Sequence, residues 1–167
     1  MKRLKDLVTI ALLLSLNIVL SRFLSISAWN IKIGFTFTTI FIAGYFYGPL
    51  GGALIGGLGD FLGAMLFPIG PYFYGFTVTA ILTGLLFGFL LRKQYGMPQM
   101  ILAAGINEFG LSLFLNTYWI HKLYKANYWA LFSTRIFQCV VIFAVELVVF
   151  SLFKKYLPAL ERRFNSK

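Results

Sequence analysis

One cysteine and one histidine occur in this 167-residue chain, so it can form no internal disulfide and no histidine-rich metal site. A lone thiol such as Cys139, set in an apolar run, is ordinarily inert. No GxSxG elbow and no Walker A sequence occurs, which removes an acyl-enzyme on that motif and ATP hydrolysis by a P-loop. The stretch "GGLGDFLG" has its third glycine out of place for a dinucleotide fingerprint and no βαβ pattern around it. Charge is also scarce: 12% of residues, only five of them acidic, where soluble domains carry about 25%. No linker, repeat or shift in composition divides the chain. The expectation is one domain over residues 1–167, with no cofactor and no metal.

What remains is apolar. Hydrophobic residues make up 59% of the chain and mean hydropathy is +0.82, more apolar surface than a soluble domain of this length can hide. Long apolar runs recur from end to end, which makes lipid the solvent. The pattern predicts an all-α integral membrane protein with six helical spans, at about 7–27, 34–47, 50–67, 74–91, 100–121 and 130–153. "AWNIK", "YGP", "FPIGP", "RKQYGMP" and "HKLYKANYW" punctuate them. The second span is short, about 14 residues or roughly 21 Å of helix. "MKRLK" before an apolar run resembles the start of a signal peptide, but no small-residue cleavage site follows, so the run is read as the first span.

The basic residues orient the chain. Lys2, Arg3, Lys5, Arg92, Lys93, Lys154, Lys155, Arg162, Arg163 and Lys167 fall on one side, against Lys32, Lys122 and Lys125 on the other. The positive-inside rule puts both termini in the cytoplasm. The net charge of +10 then anchors the protein to an anionic leaflet and does not indicate nucleic acid.

Arg22, Asp60, Glu108, Arg135 and Glu146 lie within predicted spans, where ionisable groups are costly and mark functional sites or structural ion pairs. Counting the helical rise places Arg22 and Arg135 at one depth toward the outer leaflet. With Lys32 above them they form an electropositive funnel suited to an anionic ligand; snorkelling to headgroup phosphates is the plainer reading. In the fifth span Glu108, Ser112 and Asn116 recur at i+4, with Trp119 following. Glu146, about 16 Å along its helix from Arg135, reads as structural. Gly52-xxx-Gly56 and Gly59-xxx-Gly63 permit close helix packing. Asp60, the one aspartate in a span, has no packing reason to be there.

"PYFYGFTVTA", Pro71 to Ala80, enters the fourth span at the level of both arginines. Its aromatics fit an interfacial belt, but with threonines and cations beside them they also suit a planar, anionic, hydrogen-bonding ligand. Several stretches resemble the folate-specific substrate-binding (S) components of energy-coupling factor (ECF) transporters: "LSRF", "FTFTTIFIAGYFYGPLGGALIGGLGD", "FPIGPYFYGFTVTA", "LNTYW" and "STRIFQ". The chain departs from that family pattern at Tyr74, where proline is usual. The resemblance implies a subunit that captures folate or a related pterin from outside. It would dock on a transmembrane coupling subunit and two cytoplasmic ATPases in a prokaryotic cell membrane. Ala11-xxx-Ser15 is similar to the family's small-residue docking motif.

The expected ligand site is Arg22, Trp29, Lys32, Asp60, Tyr72, Phe76, Thr77, Thr79, Asn116, Trp119 and Arg135. The arginines and Lys32 face the anionic tail, and an unpaired Asp60 faces the donor edge of the ring. Another vitamin of the riboflavin, thiamine or queuosine-precursor kind is the first alternative. An intramembrane enzyme using Asp60 and Glu108 is the second.

Overall fold

The computed structural model describes residues 2–28, 31–92 and 96–165. Helix α1 spans Lys2–Arg22, and two short strands, β1 (Ile26–Ala28) and β2 (Ile31–Ile33), pair antiparallel after it. Helices α2 (Thr36–Leu66) and α3 (Tyr74–Leu91) follow, then α4 (Met97–Gly105), a π-helical segment Ile106–Asn116, α5 (Thr117–Tyr124) and α6 (Tyr128–Asn165). Five stretches are long and apolar enough to cross a membrane: Leu4–Arg22, Thr36–Leu66, Tyr74–Leu91, Met97–Tyr124 and Tyr128–Tyr156. The first helix was expected to continue to Ser27. It stops at Arg22, and beyond it Ile26 pairs opposite Ile33 and Ala28 opposite Ile31, the β-branched isoleucines favouring extended backbone.

The expected break between the second and third spans lies inside α2. Gly48 takes φ 75° and ψ −166°, which a side chain would oppose, and Pro49 follows with no N–H to continue the helical ladder. The two arms then run back beside each other: Ile40 packs against Gly56, and the Ala43 carbonyl lies by Gly51. Arg92, just past α3, lays its guanidinium over Gly48.

Glycines let backbones touch here. A Cβ on Gly84 would strike the backbone of Gly52, and one on Gly56 would strike the Ala80 carbonyl, so the second arm of α2 lies directly on α3. On another side of the same arm Gly59 faces Asn17 and Gly63 faces Arg22, which seats α1. Asn17 donates to Thr39 Oγ1 at 2.7 Å and to the Thr36 carbonyl at 3.4 Å, joining α1 to the first arm as well. Gly84→Ala should therefore lower the melting temperature in detergent by about 5 °C or more through overpacking. Gly105→Ala, whose Cβ would meet only Phe143 at 3.9 Å, should change it little. Thermal scans of the two variants check this, and equal shifts would mean the close approach is unimportant.

The aromatic core fills the half of the bundle near the chain termini. Phe150 of α6 meets Phe41 at 4.6 Å and Phe87 at 5.6 Å between ring centroids, with Leu91 and Met100 buried alongside. The other half, under the β-hairpin, is hollow.

Candidate functional site

Every element but β1 and α4 contributes to a cavity of about 360 Å³ beneath the hairpin. Such a volume falls in the range of small-molecule sites. Arg22 enters from the last turn of α1, Lys32 from β2 and Arg135 from α6. Phe73 and Phe76 form an aromatic wall with Tyr72 at its edge. Asn116, Ser112 and Glu108 come from the π-helical segment, Gln138 and Glu146 from α6. Gln138 also donates to the Lys32 carbonyl at 2.7 Å, tying the hairpin to α6.

Charge is divided along this cavity. Arg135, 4% exposed, donates to the Ser112 carbonyl at 3.3 Å. Arg22 lies 3.9 Å from Asp60 Oδ1 and donates to the Asp60 carbonyl at 3.3 Å. Desolvation at the rim and the charge of Arg22 push the Lys32 ammonium down to about 8, against the opposing pull of Asp60. Among the described residues several buried polar atoms of the lining make no hydrogen bond: Arg22 Nε, Asn116 Oδ1, Gln138 Oε1, Glu108 Oε2 and Glu146 Oε2. Buried polar atoms are normally satisfied, so their convergence on one cavity points to a polar ligand.

Three expectations need correction. Asp60 is not unpaired: besides Arg22 it accepts a hydrogen bond from Thr77 Oγ1 at 2.7 Å, so it organises the rim. Thr77 is absent from the lining, because its hydroxyl lies between Asp60 and the Tyr72 hydroxyl, 2.9 Å away. Trp119 also stands behind the wall, packed on Gly75, where only a glycine admits the indole, and donates to Thr79 Oγ1 at 3.1 Å. Thr79 does line the cavity, but its hydroxyl is already used toward Trp119 and the Gly75 carbonyl. Trp29 lies outside the described residues. No group of three His, Cys, Asp or Glu among the described residues is placed to hold a metal.

Residues 5–159 match the family described as ECF transporter, substrate-specific component. The chain belongs to this family of ECF S components. It is similar to the folate transporter FolT of Clostridium novyi (strain NT), 35% identical over 89% of this chain and 87% of that relative. A second FolT, from Leuconostoc mesenteroides subsp. mesenteroides, is 27% identical over 86% of this chain and 80% of its own. The fold is similar to a crystal structure of FolT bound with folic acid, with a TM-score of 0.84, 27% identity and 92% of each chain covered. The family consists of transporter components, not enzymes.

The cavity of the S component is also lined by residues that helical periodicity hides. Asn107 and Asn116 both line the cavity. Nine residues make two and a half turns at 3.6 per turn, which sets them on opposite faces, but about two turns at the π-helix's roughly 4.4. The π winding therefore brings Asn107 round to the cavity. Glu146, read as structural from sequence, lines the cavity as well.

Proposed function

We propose that this S component captures folate at the outer face of the cell membrane and delivers it inward as part of an ECF uptake transporter. The observation that carries this reading is the cation-rimmed, aromatic-walled cavity, in a chain 35% identical to a folate transporter. Arg22, Lys32 and Arg135 receive the carboxylates of the glutamate tail, and Tyr72, Phe73 and Phe76 offer aromatic surface to the rings. Lys32 and the β-hairpin then face outside and both termini the cytoplasm. With the arms of α2 counted separately at Gly48, six spans cross the membrane as one transmembrane domain over residues 1–167. The partners are a transmembrane coupling subunit and two cytoplasmic ATPases. Ala11 and Ser15 form the docking face: both are exposed, and the Ser15 hydroxyl turns back onto the Ala11 carbonyl at 2.9 Å, leaving a small, smooth surface.

Calorimetric titration of the isolated protein with folate, riboflavin and thiamine tests the reading, which fails if folate does not bind. Lys32 adds a pH signature. Its ammonium sits near 8, and a bound carboxylate raises that value by favouring the charged form. Above pH about 8 binding must take up a proton, so affinity should fall by up to about tenfold per pH unit. It should stay level below that, and Lys32→Met should flatten the profile.

A further inference from the structure

At the rim of the cavity two cations share their surroundings with one anion. Arg22 comes from the end of α1, Lys32 from β2 and Asp60 from the second arm of α2, and all three line the cavity. Lys32 senses both neighbours, since the Arg22 charge lowers its ammonium and the Asp60 charge raises it. The Asp60 side chain is 25% exposed and that of Arg22 10%, so this cluster still feels solvent. Arg135, the third cation of the lining, is buried against Ser112.

The bonding of Asp60 shows that its charge matters here more than its shape. A carboxylate that braced the rim would clamp the guanidinium with paired hydrogen bonds. Asp60 Oδ1 instead stands 3.9 Å from Arg22 Nη2, beyond hydrogen-bond length. Arg22 donates to the Asp60 backbone carbonyl at 3.3 Å, a contact that any residue at this position would offer. Thr77 donates to Asp60 Oδ2 at 2.7 Å, a bond that an amide oxygen accepts equally well. Arg22 Nε is buried and makes no hydrogen bond among the described residues. Asp60 therefore tempers the charge of Arg22 and leaves a donor unspent. For a site that attracts anions, a carboxylate in this place is a cost, because it lowers the field that draws them in.

We propose that Asp60 sets the length of tail the subunit accepts, by admitting the two carboxylates of a single glutamate and disfavouring polyglutamyl folates. This rests on the folate reading and deepens it. Each further glutamate adds one carboxylate. With Arg22 and Lys32 engaged by the first, the added charge has Asp60 as its near neighbour, and like charges at close range repel. At a partly exposed and partly screened rim such a repulsion is worth about tenfold in affinity.

The experiment titrates wild type, Asp60→Asn and Asp60→Glu with folate and with pteroyltriglutamate, in detergent at neutral pH, by calorimetry. Wild type should bind folate about tenfold more tightly than the triglutamate. Asp60→Asn should shrink that gap to about threefold or less, and Asp60→Glu, which restores the charge, should keep it. Raising sodium chloride from about 50 to about 500 mM should also narrow the gap in wild type. Equal binding of the two ligands by wild type overturns the proposal without any variant having to fold. A gap indifferent to salt overturns it as well, since it marks steric exclusion. So do parallel losses for both ligands in Asp60→Asn and Asp60→Glu, which indicate a structural role. Failure of wild type to bind folate at all is a different result and strikes the folate reading itself.

Discussion

Arg135→Gln should weaken folate binding by about 100-fold, while Lys154→Gln leaves it unchanged. A charge-assisted hydrogen bond contributes about 1.5–3 kcal/mol, and each 1.4 kcal/mol is a factor of ten in affinity. Arg135 belongs at the upper end of that range because it is 4% exposed and water screens it little. Its Ser112 contacts leave the guanidinium held in place at the cavity wall. Lys154 is exposed on α6, well beyond the cavity. Arg22→Gln should also weaken binding, but by less, because Arg22 already shares its charge with Asp60. Calorimetry on the isolated subunit reads all three, and matching affinities would remove the arginines from tail recognition.

Enlarging Ala11 and Ser15 together to Trp should abolish ATP-dependent folate uptake and leave binding to the isolated subunit within about twofold. Both positions are exposed on α1, and among the described residues α1 packs chiefly on α2. Exposed positions leave room for two indoles in the isolated subunit, whereas a docked partner helix needs small residues for close approach. Uptake in cells carrying the coupling module, measured beside binding by the purified protein, separates the two effects. A parallel loss of both would make the face internal packing.

The apolar runs and their glycine and proline breaks made the helical character readable from sequence, because lipid leaves the backbone few ways to satisfy its hydrogen bonds. The cavity was legible where charge marks it: Arg22, Lys32, Asp60 and Arg135 all line it. Pairing was not legible. The Arg22–Asp60–Thr77–Tyr72 chain links residues up to 55 positions apart, and the close seating of α1 on Gly59 and Gly63 brings them together. Asn107 was hidden because a period of 3.6 points it away, and no residue type in "INEFGLSLFLN" announces a π winding. Trp119 was misplaced for the opposite reason. Its spacing suits the polar face, but the bare surface at Gly75 draws the indole behind α3.

Helix α1 carries Arg22 at one end and, seven residues or about 10 Å earlier, Ser15. The proposed cargo contact and the proposed docking contact thus share one stiff rod, seated on the rest of the protein through Asn17 and two glycines. Thermodynamic linkage then works in both directions. Whatever factor the docked partner imposes on folate affinity by shifting α1, folate must impose on the affinity for the partner. An empty and a loaded subunit would accordingly compete unequally for a shared coupling module, and the sorting would need no signal beyond the position of that helix.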